Sequence, residues 1–243
     1  MEELKNLLTN PLKDTDKRIS LVEIQNKFRQ IAQKIFNDYS IKCGDKTFRL
    51  AEIEFYYYKK GVWESKWNTT TYYREEKDAG KLFFHYSGVD ICFQSDKNEF
   101  GGILIRSLIE VDNNGKYMAL HTGPLFCANL MLNSCEKELP IIKNDHSLDY
   151  DDKTIKSDLR FGVNKEAQEF EKEKNMELCF FVTQYQYNDN NTPLNWQEAS
   201  ETDVWNYKTG DLIRKKRYYN RFKNKTFLFY IALKMHSHQY LLG

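Results

Sequence analysis

The sequence predicts a single α+β domain over residues 1–243, with a curved sheet, mixed or mainly antiparallel, and flanking helices. Two observations carry this prediction. One segment repeats apolar residues at the helical period, and several short apolar segments are joined by tight turns, as in antiparallel hairpins. The length of 243 residues suits one large domain and does not require two.

The first clear element is an amphipathic helix within residues 19–39. Ser20 and Glu23 can form a capping box at its start. The apolar positions near the helical period are Val22, Phe28, Ile31, Ala32, Ile35 and Phe36. Residues 1–18, which precede this helix, are expected to form an N-terminal extension.

Strand-like segments follow the helix. The turn at residues 43–46 separates two predicted strands, SIKC and TFRLAEIEFYY. Three short apolar segments come next, at residues 81–88, 89–95 and 101–111, and the last two are predicted to pair as a hairpin. After a turn at residues 112–115, the segment HTGPLFCANLMLN is typical of a glycine-proline entry into a short helix.

Other segments are predicted more coarsely. Residues 59–80 are polar and aromatic, and residues 136–160 are acidic, so both are predicted as long loops. EAQEFEKEKNMEL is typical of a solvated helix, whereas LCFFVTQYQY and TFLFYIALKM are predicted to be late strands.

Composition and net charge exclude few classes of protein or partner. The net charge of +1 implies no global attraction to nucleic acid or membrane, so any such contact must come from local patches. Five widely spaced cysteines predict buried thiols in a reducing compartment. The first residues are too charged for a secretory signal, and no apolar run approaches the roughly 18 residues of a spanning helix. We therefore expect a cytoplasmic monomer with no membrane contact.

Two carboxylates in RLAEIEFYYYKKGVW are the strongest candidates for chemistry. Glu52 and Glu54 share one face of a strand, because side chains alternate between faces. Partial burial and a neighbouring cation could make Glu54 a general base, and Arg106, amid apolar residues, is the candidate cation. A purely structural Glu–Arg ion pair is the alternative.

Aromatic and basic residues offer a candidate nucleic-acid surface. Rings interleaved with cations are how proteins hold unstacked bases, although core packing also explains such rings. The rings are Tyr56, Tyr57, Tyr58, Trp63, Trp67, Tyr72 and Tyr73, and the cations are Lys59, Lys60, Lys66 and Arg74. A second basic run, RKKRYYNRFKNK, begins with Arg214, Lys215, Lys216 and Arg217 and is either a phosphate footprint or a solvated face.

The sequence predicts neither a metal site nor a cofactor. Four aspartates at positions 145–152 lack the register of a calcium loop. His236 and His238 have no third ligand in register. The chain also contains no P-loop, GxGxxG, GxSxG or HExxH motif, which lowers the prior for nucleotide hydrolases, Rossmann enzymes, serine esterases and zincins.

Taken in order along residues 20–135, these segments resemble the alkyladenine (3-methyladenine) DNA glycosylase family. A helix and short hairpin come first, as FRQIAQKIFNDYSIKCGDK. The family's E-x-E-A-Y strand corresponds to residues 52–56, and its GxLYVYxxYGxxxCxN segment to residues 80–94. Its LLRALEP strand corresponds to residues 104–110, and its SGPxxLxxAL element begins at residue 122.

The resemblance implies a role for each matching residue. Glu54 corresponds to the general base that activates water against the flipped nucleotide, and Arg106 to the arginine that holds this carboxylate. Tyr56 and Phe84 correspond to the aromatic pair that stacks the extruded base. Gln94 occupies the place of an asparagine that tests the purine edge. Reading a flipped base by stacking and edge contacts offsets the cost of unstacking it.

Departures from the family pattern keep a second hypothesis open. The family's histidine beyond the first strand has no counterpart, and Ser87 stands where the family has the tyrosine wedged into the duplex. Tyr86 is the possible substitute for this wedge. The resemblance predicts a monofunctional DNA glycosylase that hydrolyses the N-glycosidic bond of a damaged base. The alternative is an altered or inactive homologue that binds a modified base or nucleotide, and a purely structural role is the third.

Overall fold

The computed structural model describes ten ranges of the chain: residues 2–9, 11–12, 20–61, 78–134, 141–152, 154–158, 160, 176–182, 184–186 and 193–195. The helices are α1 (Glu2–Leu8), α2 (Leu21–Asp38) and α3 (Pro124–Ser134). The strands are β1 (Tyr39–Cys43), β2 (Lys46–Lys59), β3 (Leu82–His85), β4 (Gly88–Cys92), β5 (Glu99–Val111), β6 (Tyr117–Thr122), β7 (Ile141–Lys143), β8 (Ile155–Asp158), β9 (Cys179–Val182), β10 (Gln184–Gln186) and β11 (Pro193–Asn195). The predicted α+β class is confirmed.

A curled antiparallel sheet forms the centre of the fold. Within the described ranges it contains nine strands, and its main path runs β3-β4-β5-β2-β1-β7. The long strands β2 and β5 pair along almost their whole length, with Thr47 opposite Val111 at one end and Lys59 opposite Glu99 at the other. On its other edge, β2 pairs first with β1 and then with β9. β10 and β11 form a separate two-stranded sheet.

Helix α2 forms as its sequence predicts. The Ser20 hydroxyl accepts a hydrogen bond from the Glu23 amide, and the Glu23 carboxylate accepts one from the Ser20 amide, which completes the capping box. The Phe28 ring stacks on that of Phe55 with 4.8 Å between centroids. Helix α2 therefore covers the face of β2 that carries Phe55. Val22 is the exception to the predicted apolar stripe, because it is 67% exposed.

Two segments contain elements that local patterns did not predict. Residues 1–18 include α1, and Leu4, Leu8 and Leu12 are buried in the main core. Within residues 136–160, predicted as a loop, β7 pairs with β1 and β8 pairs with β9. Both strands are only three or four residues long, so their formation depends on distant partners rather than on a local pattern.

The predicted hairpins around β1–β2 and β4–β5 are confirmed. Gly44, at φ +61°, adopts the left-handed conformation that the two-residue turn between β1 and β2 requires. Strand β6 was missed, and it pairs with β5 before Gly123 leads into α3. The late strand over LCFFVTQYQY is confirmed by β9 and β10. The predicted helix over EAQEFEKEKNMEL lies mostly outside the described residues, and the predicted strand over TFLFYIALKM lies wholly outside them.

The cysteines differ from the prediction of five thiols. Cys92, Cys127 and Cys179 are buried thiols, whereas Cys43 is disulfide-bonded. The prediction of a reducing compartment therefore loses its basis, and a cytoplasmic location stays a prediction. Among the described helices, none combines the length and the apolar character needed to cross a membrane.

Candidate functional site

The pairing of β2 with β5 creates a buried polar cluster on one face of the sheet. Leu50 lies opposite Leu108, Glu52 opposite Ser107, and Ile53 opposite Ile105, so each strand carries one extra residue near this point. On β5 the extra residue is Arg106. Neighbouring side chains on a regular strand point to opposite faces, but a β-bulge re-aims one of them. Arg106 and Ser107 can therefore both reach the face that carries Glu52.

Arg106 contacts Glu54, the pairing that the sequence predicted, and it also contacts Glu52. Its Nε lies 3.2 Å from Glu52 Oε1, and its Nη1 lies 3.0 Å from Glu54 Oε2. Arg106 is only 4% exposed, and Glu54 is 0% exposed. Burial by itself lowers the pKa of Arg106, but the carboxylates of Glu54 and Glu52 raise it above its ordinary value. Arg106 is thus held as a cation between two acids.

The two carboxylates receive different further donors. Glu52 accepts a hydrogen bond from the Ser107 hydroxyl at 2.8 Å and a weaker one from the Cys179 thiol at 3.4 Å. Glu54 accepts one from the Tyr56 hydroxyl at 3.0 Å, on the same oxygen that Arg106 contacts. Glu52 is therefore fixed by the sheet itself, whereas Glu54 is linked to the half-buried Tyr56.

Tyr56 connects the cluster to a second arginine, Arg160. Burial, and then the negative charge of Glu54, raise the pKa of the Tyr56 phenol well above its ordinary value, so the phenol stays protonated and donates. Arg160 Cζ lies 4.9 Å from the centroid of the Tyr56 ring. Its Nη1 donates to the Phe55 carbonyl at 3.3 Å. Tyr56 thus has Glu54 at its hydroxyl and a cation against its ring.

The register across the sheet decides which aromatic residues share the Glu54 face. Glu54 lies opposite Leu104, Leu104 opposite Asp90, and Asp90 opposite Phe83. Directly opposed residues in antiparallel strands point to the same face, so Phe83 is on the Glu54 side. Phe84 lies on the other side, and it packs against Leu132 of α3. The structure therefore does not bring Phe84 together with Tyr56.

Gln94 and Tyr86 lie at opposite ends of the β3–β4 region. Gln94 is exposed, and its side-chain oxygen accepts a hydrogen bond from the Ala79 amide at 3.2 Å, while its backbone amide donates to Leu8. This holds Gln94 beside the end of α1. Tyr86 occupies the tip of the β3–β4 hairpin and is 76% exposed. It is the most exposed large apolar side chain among the described residues.

The predicted DNA-facing cations are described only in part. Lys59 is engaged inside the protein, where it pairs with Glu99 at 3.1 Å and donates to the Leu12 carbonyl at 3.2 Å. The reason is that Glu99 lies directly opposite Lys59 in the β2–β5 register. Lys60 is exposed in the turn after β2. The other predicted cations lie outside the described residues: Lys66, Arg74, Arg214, Lys215, Lys216 and Arg217.

Three further polar residues were not predicted, namely His85, Asp90 and Arg160. Asp90 is fully buried, and its carboxylate lies 3.1 Å from His85 Nε2. The Ser87 amide donates to His85 Nδ1 at 3.2 Å, so the ring proton belongs on Nε2, facing Asp90. An acid inside the apolar run VDIC is the same kind of signal that singled out Glu54. Arg160 carries a similar one, because it stands between a leucine and a phenylalanine in the sequence.

The hydrogen bonds and charges around Glu54 suit proton transfer or the recognition of a polar group. In the described part of the chain, no three His, Cys, Asp or Glu side chains are grouped so as to hold a metal ion. No protein-family model matches the chain, and no curated protein matches it. The resemblance to alkyladenine glycosylases therefore stays a prediction from motif order, and the function has to be argued from geometry.

Proposed function

We propose that this protein hydrolyses the N-glycosidic bond of a damaged or modified base in DNA, with Glu54 as the general base. The observation that carries the proposal is the convergence of Arg106 Nη1 and the Tyr56 hydroxyl on one oxygen of Glu54, each at 3.0 Å. Two donors fix the carboxylate in one orientation, which a positioned base requires. The resemblance gives Glu54 and Arg106 the same roles.

The reaction is a displacement by water at the anomeric carbon. Glu54 takes a proton from the water, the oxygen bonds to the sugar, and the glycosidic bond breaks with its electron pair going to the base. The departing base then takes up a proton. Glu54 itself is inaccessible to solvent, so the attacking water has to enter beside the half-buried Tyr56.

The β3–β4 hairpin supports the choice of a flipped nucleotide as substrate. Tyr86 projects from the tip, where an aromatic ring can fill the gap left in a duplex by an extruded base. Phe83 and His85, on the Glu54 face, lie with their rings nearly parallel at 5.8 Å and 22°. They are better placed than Phe84 to stack on a base near Glu54, and this moves the proposed stacking role by one residue.

The test is release of free base from oligonucleotides that carry a panel of alkylated and deaminated bases. We expect the wild type to release at least one of them, and Glu54→Gln to lose about 100- to 10,000-fold in rate, as for removal of a general base. Glu52→Gln is the matched control, because Glu52 has the same chemistry, lies on the same strand and contacts the same arginine. The Glu52→Gln variant should still release free base at a measurable rate.

Two results would contradict the proposal. One is no base release by the folded wild type across the panel. The other is equal loss of activity in Glu54→Gln and Glu52→Gln, since this would mean that both variants act by loosening one structural ion cluster.

A second candidate is a protein that binds a modified base or nucleotide without cleaving it. The complete burial of Glu54 favours this reading, because a carboxylate enclosed by protein donors has less access to water. Ser87 in place of the wedge tyrosine points the same way. Tight binding of a modified oligonucleotide with no product would select this candidate, and turnover would remove it. A cluster that neither binds nor cleaves would be purely structural.

A further inference from the structure

Arg160 is a buried cation that has no carboxylate partner in the part of the chain that the structure describes. It is 8% exposed. Its two recorded contacts are the hydrogen bond from Nη1 to the Phe55 carbonyl and the position of its guanidinium over the Tyr56 ring. Arg106, by contrast, contacts two carboxylates.

The contact with Phe55 fixes the place of this guanidinium. Strand β9 begins at Cys179, opposite Glu54, and just before it the Leu178 carbonyl accepts a hydrogen bond from the Phe55 amide at 2.9 Å. The Leu178 amide donates to Met176, so it does not bond the Phe55 carbonyl in return. Arg160 satisfies the carbonyl that this leaves. A guanidinium has five N–H donors in a planar fork, and a buried charge is unfavourable unless it is paired. With one donor used on Phe55, the remaining donors suit an oxyanion, which the planar fork can bind through two hydrogen bonds.

The charges around Glu54 also favour an anionic ligand beside Arg160. Glu52, Glu54 and Arg106 together carry one net negative charge, which repels an incoming anion. Arg160 brings the charge of these four residues to zero. An anionic ligand next to Glu54 is therefore tolerated on the side where Arg160 lies, beside Tyr56.

We propose that Arg160 is a phosphate subsite, so that the Glu54 site takes a nucleotide, with its phosphate, in preference to a free nucleoside. Tyr56 has Glu54 at its hydroxyl and Arg160 against its ring, so the two groups flank one side chain. In a nucleotide, the glycosidic bond and the phosphate are likewise separated by one sugar. The choice of Glu54 as the reacting group rests on the proposed function, whereas phosphate binding at Arg160 can be measured without it.

The experiment is calorimetric titration with inorganic phosphate, with dAMP and with deoxyadenosine, at constant ionic strength. We expect phosphate and dAMP to bind the wild type, and Arg160→Gln to weaken both by tenfold or more. Deoxyadenosine should bind both proteins equally or not at all. Lys42→Gln removes an exposed cation from strand β1, which has no proposed binding role, and should leave phosphate binding unchanged.

A second variant keeps the test decisive if Arg160→Gln does not fold. Arg160→Lys keeps the charge and removes the planar fork, so its affinity for phosphate should still fall while its circular dichroism stays that of the wild type. The proposal is overturned if the wild type binds no phosphate, or if the folded Arg160 variants bind it as tightly as the wild type does.

The outcome is separable from that of the base-release assay. Phosphate binding that depends on Arg160, without base release, would retain the subsite and remove the glycosylase. Base release that depends on Glu54 and is unaffected in Arg160→Gln, with no phosphate binding, would retain the glycosylase and remove the subsite. Phosphate should also bind Glu54→Gln at least as tightly as the wild type, because that variant carries one less negative charge.

Discussion

Replacing Arg106 with methionine tests the buried cluster most directly. The substitution keeps an apolar stem of similar length and removes the cation that Glu52 and Glu54 share. Both carboxylates then stay buried, and their remaining side-chain donors among the described residues are neutral: Ser107, Cys179 and Tyr56. Removing one partner from a buried ion pair costs about 3–5 kcal/mol, because the remaining charge is uncompensated.

The expected loss can be measured by thermal unfolding. About 3–5 kcal/mol corresponds to a fall in Tm of about 6–20 °C for a chain of this size, at about 2–4 °C per kcal/mol. Circular dichroism followed against temperature at neutral pH would measure this loss.

Two controls define what would refute this reasoning. Lys81→Met breaks an exposed ion pair with Asp78 of similar length, 3.1 Å, and should cost less than about 1 kcal/mol. The triple variant Glu52→Gln/Glu54→Gln/Arg106→Met removes all three charges and should be more stable than Arg106→Met alone. If Arg106→Met unfolds within about 1 °C of the wild type, removing Arg106 does not leave an uncompensated buried charge.

Three further outcomes follow from the packing and the charges. Phe28→Ala should cost about 3–5 kcal/mol in chemical unfolding, because Phe28 is fully buried; a loss below 1 kcal/mol would contradict its place in the core. Gly101→Ala should cost about 1–3 kcal/mol, because the added Cβ would clash with the Tyr56 carbonyl, and an unchanged Tm would show that β2 can shift to accept it. Glu3, whose pKa falls to about 2 through its hydrogen bond with Lys143, should titrate there by NMR. Its stabilising effect over Glu3→Gln should be present above pH 4.5 and disappear as the pH falls towards 2, and a midpoint near 4.5 would exclude the ion pair.

Local sequence patterns were sufficient to predict several elements of the fold. The capping box at Ser20, the turn at Gly44 and the alternation along β2 each depend on residues close in sequence, so the sequence predicted them. The same alternation placed Glu52 and Glu54 on one face and Phe55 on the other. The lone arginine in an apolar strand indicated a buried partner for Arg106, and the structure supplies two.

Pairing between strands that are far apart in the sequence determined the features that local patterns could not predict. Strands β7 and β8 are too short to show an alternating pattern. They form because β7 pairs with the edge of β1 and β8 pairs with the edge of β9. Lys59 appeared to be a surface cation until the register put Glu99 opposite it. The register also places Phe83, and not Phe84, on the Glu54 face, because neighbouring residues on a strand point to opposite faces.

By itself, the sequence determined the α+β class, helix α2, the central strands and the sharing of one strand face by Glu52 and Glu54. These features depend on periods of 3.6 and 2 residues, which any short window contains. Only the tertiary structure decided that Arg106 bridges both glutamates and that Arg160 lies against Tyr56. The physical reason is that the β2–β5 bulges and the end of β9 are properties of strand pairs, whose members are far apart in the chain.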